Sequence, residues 1–229
     1  MATIDWYPLF LSIRVGLIAV VFVSILGLPL ARLLARRSFS GKKVLESIIT
    51  LPMVLPPSVV GYGLLMIVGK NGIIGKPLHE MGITLIFTWW AAVLAATVVA
   101  FPLMYQSAHA AFTSVNINYE KAARTLGASE LRIFFTITLP LALPGIVAGL
   151  VLSFARAMGE FGATLMIAGN IPGQTQTMPI AIYFAVEAGD TTTARVLVTI
   201  ITVFSFAVIY GVNRWVEKKE SRGDQYARS

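Results

Sequence analysis

Residues Asn118 to Pro140, NYEKAARTLGASELRIFFTITLP, form a charged, helix-forming island between two strongly apolar segments. The Asn118 side chain can cap the free N–H groups of a first helix, and Glu120 falls at the positive end of its dipole. Ala122 and Ala123 are good helix formers, small enough to let another surface come close. Gly127 is a natural stop, free to take the left-handed conformation, and Ser129 can cap a second helix. That helix is expected to run until Pro140, which has no N–H to donate. From the residues alone, the stretch is an elbow joining two membrane spans, either a plain connector or a docking surface.

The segments around the elbow decide the class. The chain has 229 residues, of which 56% are hydrophobic and 13% charged, too apolar for a soluble domain of this size. It reads as one all-α, polytopic membrane domain. The net charge of +7 would also suit a nucleic-acid binder, but the positive residues cluster at the ends of apolar runs, where membrane flanks lie. The absence of cysteine excludes disulfides, thiolate catalysis and thiolate metal sites. His79 and His109 are too far apart in sequence to suggest a metal or catalytic site.

Five apolar runs are expected to span the bilayer, near residues 9–34, 44–69, 83–112, 138–168 and 194–215. The first is no signal peptide, because its main charge cluster (Arg32, Arg36, Arg37) follows a run long enough to cross. Arg14 is expected to snorkel to the nearer surface. The second contains LPMVLPPSVVGYG, in which Pro52, Pro56 and Pro57 interrupt the helix. Such a break is either a kink that only fixes packing or the wall of a substrate path. The loop KNGIIGKPLHEMG is not a phosphate-binding loop, since Gly69 and Gly75 are one residue too far apart and Pro77 replaces the required hydroxyl.

The third run opens on an interfacial cluster of Phe87, Trp89 and Trp90. The fourth, 31 residues, would be roughly 46 Å long as a helix, well beyond a hydrocarbon core of about 30 Å. Its membrane portion is expected to run from Gly145 to Ala168, with Arg156 near the midpoint and Glu160 four residues on, on the same helix face. Between runs four and five, a polar loop and a half-inserted helix around Ile180–Val186 are expected.

Charge sets the orientation. The loops at 31–43 and 113–138 and the tail after 213 hold five, three and five Lys/Arg. Alternation through five spans puts all three on one side, the cytoplasmic one, with the N-terminus outside. Arg156 and Glu160 at membrane depth each carry a cost, about 2.5–3.5 kcal/mol for a central arginine on insertion scales. They form either a pair that fixes packing or part of a polar path, in which Gly159 and Gly162 let backbones approach or flex.

The spacing E-x-A-A-x3-G-x9-I-x-L-P, met without a gap from Glu120 to Pro140, resembles the signature loop of permease subunits in ABC importers. The resemblance covers nearly the whole chain. SFARAMGEFGAT followed by GNIPGQTQTMP is similar to the oxyanion branch of that family, which handles sulfate, molybdate and tungstate. The LPMVLPPSVVGYGLL segment and NGIIG are most similar to molybdate permease subunits, some of which have an additional N-terminal span absent here.

The resemblance implies a cytoplasmic coupling helix carrying Glu120, Ala122, Ala123 and Gly127, docked into a separate ATPase subunit that binds the ATP. It implies two ATPase copies, a second permease copy forming a homodimer, and an extracytoplasmic oxyanion-binding protein. Arg156, Glu160, Gly159, Gly162, Pro56 and Pro57 become candidates for the translocation path or gate, with no catalytic residue, metal or cofactor in the chain itself. A passive channel using Arg156–Glu160 as a filter is the rival from another class. An intramembrane enzyme based on Glu160 would lack a partner nucleophile or metal cluster.

Overall fold

The computed structural model describes residues 5–227, with side chains through Gly211 and at Arg214. The regular secondary structure of the described residues is all helical, without strands. In chain order the helices are α1 (Tyr7–Arg36), α2 (Lys42–Val54), α3 (Pro57–Val68), α4 (Gly75–Glu80), α5 (Trp89–Ser114), α6 (Ile117–Thr125) and α7 (Glu130–Ile133). A π-helical turn, Phe134–Thr138, then leads into α8 (Leu139–Met158), α9 (Gly162–Ala168), α10 (Met178–Glu187) and α11 (Thr191–Ala227).

α5 is the centre of the bundle, with α1 along one side and α8 along another. Its inward positions are largely alanine: Ala91, Ala92, Ala95, Ala96, Ala100 and Ala108 are fully buried. Small side chains let neighbouring helices approach closely where no hydrophobic force drives them together. α8 answers with Gly145 and Gly149. A Cβ at either would lie 2.7 Å from a Cβ of α5, on Ala111 and Ser107 respectively.

α1 and α5 run parallel. At one end the Arg14 guanidinium lies 3.9 Å from the centre of the Trp89 ring. At the other, Arg36 donates to the Val115 carbonyl at 3.0 Å. The chain must therefore cross the bundle between Arg36 and Trp89, and α2 and α3 together make that crossing despite a 114° bend between them. The second expected span is thus a broken one. Leu55 and Pro56 are both extended there, as residues preceding proline prefer. α1, α5, the α7–α8 rod and α11 are long and apolar enough to cross a membrane, and the bent pair α2–α3, taken as one span, makes a fifth.

Three boundaries differ from the sequence reading. The third helix starts at Trp89, not near Ile83, because Phe87 takes a left-handed conformation (φ 58°) that stops helix propagation. The helix expected through Gly145–Ala168 ends at Met158, and residues 159–161 separate it from α9. The rod before it passes through Pro140 without stopping. The π turn at Phe134–Thr138 widens the helix where the proline removes a donor and crowds the preceding carbonyl.

The Arg14 guanidinium lies over Trp89, one member of the stacked pair Trp89–Trp90. The apolar patch Ile180–Val186 lies in α10, which is pinned to α1 by the Met178 N–H donating to buried Ser12 at 2.8 Å. Of the terminal basic cluster, Arg228 lies outside the described residues, as do the side chains of Lys218, Lys219 and Arg222.

Candidate functional site

The elbow is built from local signals. Asn116, two residues earlier than expected, is the cap of α6, its side chain accepting from the Asn118 N–H at 2.9 Å. Gly127 closes α6 with φ 79°. Its N–H reaches the Arg124 carbonyl and the Ala128 N–H reaches the Ala123 carbonyl, the paired bonds of a Schellman turn. Ser129 caps α7, and Arg124 reaches back across the turn to pair with Glu130.

Glu120 points into the bundle, with 1% of its surface exposed. Its Oε1 accepts from Thr138 at 2.8 Å and from Arg36 at 2.9 Å, with Arg32 at 3.0 Å. Burial alone would push this carboxyl upward. The Thr138 hydroxyl and the Arg32 and Arg36 charges outweigh it and hold the group below its ordinary value. One carboxylate thus ties α6 to the end of α1 and to the entry of α8.

The partners Arg32 and Arg36 were read from sequence only as membrane-flanking charge. No local spacing connects them to Glu120, which is 84 positions from Arg36 and further still from Arg32. Outside, Ala122 and Gly127 are exposed and Ala123 is half-buried. They stand beside two apolar residues the motif does not mark, Leu126 (87% exposed) and Leu131 (73% exposed). The elbow therefore has a clamped inner face and a free, partly apolar outer one.

The second group of candidates meets deeper in the bundle, where the two broken spans pack break against break. A Cβ on Gly162 would lie 2.9 Å from the Pro57 Cβ, and one on Gly61 would lie 2.8 Å from the Ala163 Cα. Pro56, Pro57 and Gly159 are exposed at this junction.

Arg156 and Glu160 do not share a continuous helix face. Arg156 is in the last turn of α8 and Glu160 lies in the break beyond it. They pair nonetheless at 2.8 Å, across the end of the helix. The other Glu160 oxygen accepts the Ala163 N–H at 2.8 Å, satisfying an open donor of α9. Glu160 is buried, while Arg156 is about one-third exposed and makes no other hydrogen bond among the described residues. Chemically, the end of α8 offers one partly exposed guanidinium held by Glu160. No group of three or more His, Cys, Asp or Glu able to hold a metal occurs among the described residues.

Comparison with known proteins agrees with this architecture. Residues 9–222 match the family described as the binding-protein-dependent transport system inner membrane component. The chain is 45% identical to the molybdenum transport system permease protein ModB of Escherichia coli (strain K12), over 93% of this chain and 94% of that one. It is 48% identical to the putative molybdenum transport system permease protein YvgM of Bacillus subtilis (strain 168), over 90% and 92%. Among solved structures, an inward-facing form of the MetNI methionine ABC transporter superposes with a TM-score of 0.73 at 17% identity, covering 95% of this chain and 98% of that one. A bacterial alginate ABC transporter in complex with its pentasaccharide-bound periplasmic protein does so at 0.72 and 16%, covering 93% and 78%. The fold is that of ABC importer permeases, and with the match across residues 9–222 the chain belongs to the family of inner membrane components of binding-protein-dependent transport systems.

Proposed function

We propose that this chain is the pore-forming subunit of an ATP-driven importer for a tetrahedral oxyanion, and that the cargo is molybdate. The names of its relatives support the cargo. The elbow supports the drive: Glu120 fastens it to α1, while Ala122, Leu126, Gly127 and Leu131 stay open for a partner.

In this reading the elbow end faces the cytoplasm and meets an ATPase subunit, which alone binds and hydrolyses ATP. Two such subunits act on two copies of this chain, and an extracytoplasmic protein supplies the anion. The N-terminus lies outside and the end of α11 inside.

Force applied at the elbow has two rigid routes. Through α7, the π turn and α8 it reaches the break after Met158 and then Gly162, which packs on Pro57 of α3. Through the Glu120 clamp it reaches α1, whose far half holds the start of α10 at Ser12. The first route ends on an interrupted helix, where small dihedral changes can open or close a path. Arg156 offers the anion a positive field that Glu160 moderates, so that the cargo passes without being trapped.

The test is uptake of labelled molybdate by proteoliposomes containing the chain, an ATPase subunit and the anion-binding protein. ATP-dependent uptake, competed by tungstate more than by chloride, is expected. Uptake without the ATPase would replace this reading with a passive channel, and preference for sulfate would reassign the cargo.

A further inference from the structure

Between the end of α1 and the elbow lies an open pocket of about 390 Å³. Four arginines, Arg32, Arg36, Arg37 and Arg124, line it against two carboxylates, Glu120 and Glu130. Glu120 is shared by Arg32 and Arg36, and Glu130 pairs with Arg124. That leaves Arg37 with no carboxylate partner among the described residues. Arg32 Nη1 and Arg36 Nε are buried without a hydrogen-bond partner, as is Glu120 Oε2, so the carboxylate leaves the guanidinium groups incompletely matched. Buried donors of this kind call for an acceptor, and an oxyanion with several oxygens suits guanidinium groups.

Depth identifies the source of that anion. The 30 residues of α1 make a rod of about 45 Å against a hydrocarbon core of about 30 Å. If the rod is centred, about five residues project at each end, which places Arg32 and Arg36 in the phosphate layer. One row of exposed apolar residues, Phe22, Leu26 and Leu33, shares a face of α1 and leads to Arg37. Leu33 and Ile117 also line the pocket. The cationic pocket therefore opens onto an apolar track, which suits an acyl chain; a free oxyanion or an acidic side chain has no use for one.

We infer that this pocket binds the phosphate of an anionic phospholipid, whose tail lies along the exposed row of α1. The lipid would brace the elbow against the membrane and supply an anionic partner for Arg37, which lines the pocket without one. Basic pockets at the cytoplasmic ends of spans are suited to such headgroups.

The test is native mass spectrometry of the full chain in detergent, titrated with phosphatidylglycerol or with phosphatidylcholine of the same acyl chains. Arg37→Ala removes one pocket arginine and leaves the Glu120 clamp untouched; Lys70→Ala, at the other end of the bundle, is the control. Retention of phosphatidylglycerol over phosphatidylcholine is expected, reduced about fivefold by Arg37→Ala, the weight of one arginine at an anionic surface, and unchanged by Lys70→Ala. Equal retention of both lipids, or equal loss in both variants, would overturn the inference. Displacement of the lipid by millimolar inorganic phosphate would make this a free-anion site instead. Expulsion of the lipid when an ATPase subunit assembles would assign the pocket to an acidic segment of that partner.

Discussion

Replacing Glu120 by glutamine should release the elbow while leaving the spans in place. The amide keeps the shape and can still accept from Thr138, but it leaves Arg32 and Arg36 facing each other with no anion between them. Breaking a buried ion pair by removing one partner costs about 3–5 kcal/mol. Here the two arginines are 21% and 20% exposed and can recover part of their hydration, so the lower end applies, about 3 kcal/mol. That raises the population of detached elbow roughly a hundredfold, at about 1.4 kcal/mol per factor of ten.

Hydrogen exchange reads this directly, because amides in α6 open locally, independently of the spans. Exchange of the α6 amides should accelerate by about two decades in Glu120→Gln, with α5 unchanged. Adding Arg36→Gln should cost much less than the sum of the single effects, since both remove the same contact. Unchanged α6 exchange in Glu120→Gln, or strict additivity, would refute the clamp.

The pH dependence has a definite sign. Glu120 is depressed from its ordinary 4.5, so its contribution is complete above that value and fades as pH falls through the lower, folded-state value. A spin label at Leu126 should gain mobility on acidification through that range in the native chain, and show no such transition in Glu120→Gln. Gly162→Ala drives a methyl into Pro57 and should destabilise the fold by about 1–3 kcal/mol. Gly63→Ala, on α3 with nothing within 4 Å of the added carbon, should be neutral or slightly stabilising in the same melting experiment. Gly127→Ala meets no neighbour either, but must adopt φ 79° and should weaken the elbow by about 1–2 kcal/mol, with Gly127→Asn milder, both read from α6 exchange.

The parts of this molecule legible in its sequence are those set by neighbours along the chain. Gly127 and Ser129 specified the turn and the cap, because each acts within a few residues. Pro56 and Pro57 announced a break for the same reason. The Glu120 clamp was not legible, since the packing of α1 against α5 alone brings Arg32 and Arg36 to it. The meeting of Pro57 with Gly162 was hidden likewise, for proline and glycine mark where a helix can break but not which other break lies against it. Arg156 and Glu160 read as an i,i+4 pair on one helix. The pair survives, but Glu160 uses its second oxygen to start a new helix where the old one stops.

The central claim is that the outer face of the elbow is gripped by a nucleotide-hydrolysing partner in the cytoplasm. The chain contains no cysteine, so Leu126→Cys introduces a single thiol on that face, and a thiol-specific cross-linker applied to the assembled transporter tests the claim. The account predicts a cross-link from position 126 to the ATPase subunit, together with protection of that thiol in intact cells from a reagent that cannot cross the membrane. Labelling of position 126 from outside the cell, or cross-linking only to the external binding protein, would contradict it.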